Sequence, residues 1–385
     1  MLFALTLSGE CFAQQSSREL KTFSFSGNGY ELGLQHGKEL KKEIGEIISA
    51  WKKNTSSSLG KDADAVLKDF FDYAQFDEAI KKWTPGLYEE IKGISEGSGQ
   101  KFNDVLLLNL LDEFWVYINN LENHHCSALG VPSRNGEPGY ISQNMDLENY
   151  TDGFQVLIRL NRAENRPEQL ILTYPGLIAL NGLNEEGIGV CVNTLMQLKA
   201  SSTGLPVSFV IRHLLNLTDK EDALHFIQSV NHASGQNYII GIKGEVYDFE
   251  ASANQVVRYD PNNENGTVYH TNHPVVNDDI KPWFATYDPN LEDDLKPTGS
   301  NSYIRFKAVE NRMATHSEIS DILVKEALRS KDNLDNPVCR ANNKDGKGFT
   351  FASVIMTFAK KPNIQILAGP PDESDYAMFV FSNKE

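Results

Sequence analysis

The sequence predicts an α+β protein, a layered architecture of antiparallel sheets with its helices and strands segregated into blocks. Three observations carry that expectation. Apolar residues recur at helical spacing from Tyr30 to about Leu121, the pattern turns to short β-rich runs at His124-His125-Cys126, and no βαβ alternation follows. The 385 residues are 40% apolar and 23% charged, ample for a sizeable core. The polar stretches Asn262 to Gly266 and Asp288 to Ser300 read as surface loops, the second long enough to be a lid, and neither reads as an interdomain linker. One domain over residues 16–385 is expected.

Gly33 to Trp51 alternates Leu and Ile with Lys and Glu at three- and four-residue intervals, and Lys101 to Asn120 does so through Leu, Phe and Trp. The first third therefore holds three or four helices. Strands are expected at Ser127 to Pro132, Gly139 to Met145, Phe154 to Leu160, Gln169 to Thr173 and Ile188 to Asn193. Helices follow at Pro206 to Leu217 and Asp219 to Val230, with Pro and Asp as their start signals. Strands return at Tyr238 to Glu250, Gln255 to Tyr259 and Thr267 to His270. A helical pair spans about Ser302 to Ser330, and Thr350 to Ala359, Ile364 to Ala368 and Ala377 to Phe381 close the chain as strands.

The formal charge of -16, from 36 basic and 52 acidic side chains, repels phosphate backbones, so nucleic acid is excluded as a partner. No segment after the first residues has the apolar length of a membrane helix, so stable membrane insertion is not expected. Residues 1–15 hold a short apolar run and then Phe12-Ala13-Gln14, the shape of a signal-peptide end without the basic front. A secreted or periplasmic protein is expected. Glu10 beside Cys11 argues against lipid modification there. Removal of this leader takes Cys11 and leaves Cys126, Cys191 and Cys339, an odd number, so at least one thiol is free.

Several chemistries are excluded by their missing motifs: there is no HExxH, no P-loop and no GxSxG. Gly27 to Gly33 has glycines near dinucleotide-loop spacing, but the last falls one residue late and no βαβ unit surrounds it, so it is read as a turn into the first helix. His124, His125, His270 and His273 match no zinc spacing, and no metal or cofactor is expected. Free cysteines are ordinarily small buried residues, and Cys191 and Cys339 fit that role. Cys126 differs, standing where helix gives way to strand, behind two imidazoles and before small Ser127 and Ala128.

Six short motifs occur in order. They are Tyr30-Glu31-Leu32-Gly33-Leu34-Gln35-His36-Gly37, His125-Cys126-Ser127-Ala128, Ser142-Gln143-Asn144-Met145-Asp146, Asn181-Gly182-Leu183-Asn184 continuing to Val192-Asn193-Thr194, Tyr269-His270-Thr271-Asn272-His273-Pro274, and Ser302-Tyr303-Ile304-Arg305. With these the chain resembles the penicillin acyltransferase and choloylglycine-hydrolase branches of the N-terminal-nucleophile superfamily. It is most similar to the penicillin acyltransferase type, since Gln143 stands where the bile-salt enzymes carry arginine.

The resemblance implies an αββα sandwich of two antiparallel sheets flanked by helices. It also implies self-cleavage between His125 and Cys126, leaving a heterodimer of a helical chain, 16–125, and a strand-rich chain, 126–385. Cys126 would then be nucleophile, and its new α-amino group, with a reference pKa of about 7.7–8.0, the base. Asp146 would accept a hydrogen bond from that amine or the thiol and orient it, Arg305 favour thiolate, and the Asn272 side-chain amide and the Asn193 backbone N–H, with or without the Asn193 side chain, hold the oxyanion. Residue by residue, Asp146 is also readable as a turn cap, Arg305 as a helix-surface arginine and Asn272 as a turn former. The bulky His125 departs from the small residue, glycine in the penicillin enzyme, usual before the nucleophile.

The function implied is hydrolysis or transfer of the acyl group of a small linear amide through a Cys126 thioester, with water, an amine acceptor or an acyl-CoA as the second reactant. A phospholipase-B-like lipid hydrolase of the same fold and an inactive secreted binding protein are the alternatives.

Overall fold

The computed structural model describes residues 18–118, 126–261, 263–285, 300–314, 316, 318–343 and 348–383. The chain starts on a strand, β1 (Lys21–Phe25), and continues through α1 (Gly29–Glu39), α2 (Lys41–Leu59), α3 (Ala63–Tyr73), α4 (Asp77–Trp83), α5 (Pro85–Ser98), α6 (Phe102–Leu108) and α7 (Leu111–Tyr117). Helical periodicity extends through this region, yet local chemistry cuts it into seven helices rather than three or four. Gly60 and Gly99 end α2 and α5 in the left-handed conformation, and Pro85 opens α5.

Six strands follow: β2 (Ser127–Val131), β3 (Gly139–Leu147), β4 (Val156–Leu160), β5 (Gln169–Thr173), β6 (Asn181–Asn184) and β7 (Ile188–Thr194). Polar Asn181 and Asn184 hid β6 from the sequence reading. After α8 (Val207–Asn216) and α9 (Lys220–Ser229) come β8 (Gln236–Ile242), β9 (Glu245–Ala251), β10 (Val256–Arg258) and β11 (Val268–His270). The single strand expected over Tyr238 to Glu250 is a hairpin. Lys243 and Gly244 both take positive φ, 50° and 93°, and Ile242 pairs with Glu245 across this two-residue turn. The chain ends with α10 (Pro282–Ala285), α11 (Asn301–Ala314), α12 (Asp321–Leu328), β12 (Phe349–Phe358), β13 (Asn363–Ala368) and β14 (Ala377–Val380).

Two sheets face each other. One has the order β1-β4-β5-β6-β7-β8-β9-β10, the other β11-β2-β3-β12-β13-β14. Pairing is antiparallel except between β1 and β4, which run parallel and are separated in the chain by α1–α7, β2 and β3. Strands β2 and β3 pack on β7, β8 and β9; α8 covers β6 and β7 outside one sheet, and α11 and α12 cover β2, β3, β11 and β12 outside the other. The result is an α+β sandwich with helices on both outer faces. One apolar core runs from α1–α7 through both sheets, and a second cluster lies beneath α11 and α12.

The motif Tyr30 to Gly37 folds as the exposed and buried faces of α1, and its glycines let α1 lie backbone to backbone on α5. A Cβ on Gly33 would sit 1.9 Å from the Glu90 carbonyl oxygen, and one on Gly93 2.3 Å from that of Tyr30. Buried His36 stacks on Phe25 and accepts the Gly176 N–H at 2.9 Å, tying α1 to the loop after β5. Burial and the Arg212 charge lower its pKa to about 3, so it is a neutral acceptor.

Candidate active site

Cys126 immediately precedes β2. Because Ser127 pairs with Asn144 of β3, the cysteine lies beside Met145, its Sγ 3.5 Å from the Met145 Sδ and 3.9 Å from the Asp146 carbonyl oxygen. The residue is 7% exposed. Burial pushes the thiol up to about 12; the Asp146 and Asp112 charges add to this, and the Arg305 guanidinium only partly offsets it. Burial therefore outweighs the neighbouring cation, and the thiol is neutral at physiological pH.

Arg305 projects from α11 but is fully buried, which decides against a helix-surface role. Its Nη1 donates to the Cys126 carbonyl at 2.7 Å and the Ser127 hydroxyl at 2.8 Å, its Nη2 to the Asn272 Oδ1 at 3.0 Å, and its Nε to the Asn301 Oδ1 at 2.7 Å. Burial lowers its pKa to about 10, still cationic at neutral pH. Its guanidinium holds the cysteine backbone and the Asn272 amide in one frame.

Asp146 is also buried, near the end of β3 rather than in a turn. A β-bulge in β12 between Thr350 and Ala352 sets Thr350 opposite Asp146, and the Thr350 hydroxyl donates to its Oδ1 at 2.8 Å. Oδ2 has no hydrogen-bond partner among the described residues and lies 3.9 Å from Arg340 Nε. Burial raises this carboxyl to about 6 against the opposing pull of Arg340, Arg305 and Thr350.

Asn272 follows β11. Its backbone N–H donates to the Ser302 Oγ at 2.7 Å, and its Nδ2 donates to the Thr194 carbonyl at 3.1 Å. With Oδ1 turned to Arg305, the amide orientation is fixed and the second Nδ2 hydrogen remains for another acceptor. Glu250 shapes this loop, accepting from His270 Nε2 at 2.7 Å and from the N–H groups of Val275, Val276 and Asn277. Asn193 of β7 sends its Nδ2 to the His270 carbonyl at 3.5 Å, and its Oδ1 is without a partner among the described residues. Cys126, Asp146, Arg305 and Asn272 thus meet in one cluster, while the Asn193 side chain points to β11. Gln143 and Asn181, also in the sequence motifs, bond to each other at 3.1 Å, and Gln143 ties to the Val192 backbone, linking the two sheets.

Cys126 opens into a narrow cavity of about 70 Å³. Its walls are mostly apolar, from Leu108, Trp115, Leu177, Leu180, Val192 and Ile211, but Asp112, Asp146 and Glu148 also face it. Asp112 and Glu148 were missed in the sequence. Asp112 stood inside a helix read only for its apolar stripe, and Glu148 one residue past a strand end, so neither broke a pattern.

His125 and the expected lid over Asp288 to Ser300 lie outside the described residues, the latter for residues 286–299. The three described cysteines are all free and buried. Among the described residues no helix is long and apolar enough to cross a membrane, and no group of three or more His, Cys, Asp or Glu could hold a metal.

Two facing sheets with helices outside both are the αββα sandwich that the sequence resemblance implies. The family described as acyl-coenzyme A:6-aminopenicillanic acid acyl-transferase matches residues 134–373, and the chain belongs to that family. It is 25% identical over 361 residues to the 40 kDa form of acyl-coenzyme A:6-aminopenicillanic-acid-acyltransferase of Emericella nidulans, covering 93% of this chain and 95% of that one. Protein dcd1B of Dictyostelium discoideum is 24% identical over 240 residues, 56% of this chain and 46% of its own length. Among solved structures, a variant of conjugated bile acid hydrolase from Clostridium perfringens is 16% identical with a TM-score of 0.43, covering 67% of this chain and 97% of that one. Penicillin V acylase from Agrobacterium tumefaciens is 13% identical with a TM-score of 0.40, covering 63% and 83%. The protein is accordingly an enzyme of linear amide chemistry, an amide hydrolase or acyltransferase.

Proposed function

We propose that this is a self-processing cysteine amidase or acyltransferase in which Cys126 becomes an amino-terminal residue. The observation that carries the reading is a buried thiol raised to about 12, framed by Arg305 and Asp146, with no imidazole bonded to it among the described residues. At pH 7 such a thiol is ionised in only about one molecule in 10⁵, so it needs a local proton acceptor. His270 is committed to Glu250, and His273 is neutral and bonded to Ser302. The α-amine released by cleavage before Cys126 supplies the missing base.

In processing, Sγ attacks the His125 carbonyl carbon, the peptide nitrogen leaves with a proton to become the Cys126 α-amine, and water hydrolyses the thioester to a His125 carboxylate. In turnover the α-amine takes the thiol proton and Sγ attacks the substrate amide carbonyl. The oxyanion draws on the remaining Asn272 Nδ2 hydrogen, and the proton passes to the departing amine. Water or an amine acceptor then resolves the thioester; where Sγ attacks an acyl-CoA instead and CoA thiol leaves, the same acyl-thioester passes its acyl group to an amine. The free Oδ2 of Asp146 suits the α-ammonium. The narrow cavity favours a small acyl group over a lipid chain. The two pieces, 16–125 and 126–385, stay together through the shared apolar core.

Intact mass and amino-terminal sequencing test this. Wild-type protein is expected as two fragments, the larger beginning at Cys126, and Cys126→Ala as one inactive chain. A whole wild-type chain that turns over amides, with Cys126→Ala equally active, overturns the proposal. The same sequencing tests secretion: material recovered outside the cytoplasm is expected to begin after about Gln15, and retention of Met1 there would overturn that part.

A further inference from the structure

The cavity beside Cys126 has an electrostatic imbalance that acyl-transfer chemistry does not use. Among the described residues lining it there is no Lys, Arg or His, yet Asp112, Asp146 and Glu148 all face it. Asp146 has Arg340 and Arg305 behind it. Among the described residues no cation pairs with Asp112 or Glu148. Asp112 Oδ2 accepts from the Thr194 hydroxyl at 2.7 Å and Gln236 Nε2 at 2.9 Å, and among the described residues Oδ1 is left for another donor. Glu148 is 9% exposed, and its Oε1 has no hydrogen-bond partner among the described residues. Glu148 Oε1 is thus a buried carboxylate oxygen without a donor among the described residues, a costly state beside the half-buried Asp112 unless a ligand supplies protons and positive charge.

The walls around the two acids are those of a cation site. Trp115 and Tyr174 line the same cavity, the Tyr174 hydroxyl tied back to the Leu108 carbonyl at 2.9 Å. Carboxylates beside aromatic faces suit an ammonium better than any neutral or anionic group. Burial and the Asp112 charge hold the Glu148 carboxyl at about 7, poised to ionise when a cation arrives.

We infer that the substrate's acyl arm carries a primary ammonium that lodges between Asp112 and Glu148 while its amide carbonyl lies at Cys126. The inference rests on the proposed role of Cys126, because the acyl arm stays bonded to Sγ through the thioester and must occupy the cavity next to it, whereas the departing amine leaves. The substrate class is therefore an ω-aminoacyl amide with a short arm, as the volume of about 70 Å³ requires.

The test compares 4-nitroanilides of ω-amino acids with three to six carbons against alkanoyl anilides of equal heavy-atom count. Wild-type processed enzyme is expected to favour the best aminoacyl member at least tenfold in kcat/KM, mostly through KM. In Glu148→Gln that ratio is expected to fall below threefold, with Asp112→Asn as the second variant in case one misfolds. Equal rates in wild type, or a preference that survives both variants, overturns the inference. Calorimetry on Cys126→Ala with n-pentylammonium and n-pentanol separates it from the catalytic reading. Tenfold tighter ammonium binding that Glu148→Gln abolishes supports the site even if no amide is turned over, and equal binding refutes it even if Cys126 proves to be the nucleophile.

Discussion

Asn272→Asp separates two roles that the wild-type side chain combines. The carboxylate keeps an acceptor where Arg305 Nη2 now donates at 3.0 Å, turning a charge-assisted hydrogen bond into a buried ion pair. It loses Nδ2, and with it the donor to the Thr194 carbonyl at 3.1 Å and the hydrogen assigned to the oxyanion. Losing a neutral hydrogen bond to a buried carbonyl costs about 1–3 kcal/mol of stability, which the stronger Arg305 contact opposes, so the variant should fold. Losing an oxyanion donor costs about 2.7–4 kcal/mol of barrier, or about 10²–10³ in kcat. Both numbers are read from one protein preparation: thermal unfolding gives the first, and single-turnover release of 4-nitroaniline from protein already shown by mass to be processed gives the second. Asn272→Ala is the control, since it removes the Arg305 acceptor too and should be less stable than Asn272→Asp. A folded, processed Asn272→Asp enzyme with kcat within threefold of wild type would remove Asn272 from the oxyanion site.

Three further outcomes are expected. Asp146 must be ionised to hold an α-ammonium, and its carboxyl sits at about 6, so kcat/KM should fall below about pH 6; Thr350→Val, which deletes a hydrogen bond favouring the carboxylate, should move that limb to higher pH in a pH–rate profile. Because the folded pKa lies above the ordinary value of about 3.9, the stability Asp146 contributes is full below about pH 4 and is lost as pH rises through about 6, which denaturant melts of Asp146→Asn against wild type should register as a flatter pH dependence. Gly33→Ala forces α1 off α5, since its Cβ would meet the Glu90 carbonyl at 1.9 Å, and should cost about 3 kcal/mol, the upper end for overpacking, seen as a lowered Tm. Arg212→Met strands Glu90, whose two oxygens it now holds at 2.9 Å each, and should cost about 3–5 kcal/mol, whereas replacing both partners by apolar residues should recover much of it.

The block order of helices and strands was legible because period 3.6 and period 2 differ over long stretches, and nearly every strand from β2 to β14 was placed within a few residues. The exceptions have two causes. Polar Asn181 and Asn184 hide β6 because the interior is partly polar, with Gln143, Asn181, Asn193 and Asn237 all fully buried. The Lys243-Gly244 turn, two residues at positive φ inside a long apolar run, splits the one expected strand into β8 and β9. The candidate site was legible through spaced motifs, since Cys126, Asp146, Asn272 and Arg305 come from the residue before β2, from β3, from the loop after β11 and from α11, and only folding brings them together. Arg305 looked like a surface residue for the same reason: helical periodicity marks which residues face one side, and nothing in the sequence tells that α11 lies over the start of β2. Asp112 and Glu148 were illegible because a carboxylate in a helix or at a strand end is ordinary until the residues around it are known.

That polar layer bears on the mechanism. A thiol in a dry site cannot ionise by cation proximity alone: Arg305 bonds the cysteine's own carbonyl, yet the thiol still stands near 12 because desolvation is the larger effect. Exposing the site to water would lower the thiol but would also dilute every hydrogen bond aimed at the oxyanion. Under the proposed cleavage the base sits on the nucleophile's own backbone, which would resolve the conflict, because the proton then moves only from Sγ to the adjacent nitrogen and no second side chain needs to enter the pocket. The same proposal gives a reason for Arg305 to grip the carbonyl of Cys126 rather than its sulfur. A residue cut free on its amino side would need its carboxyl side anchored, and the buried guanidinium that also bonds Asn272 would be that anchor.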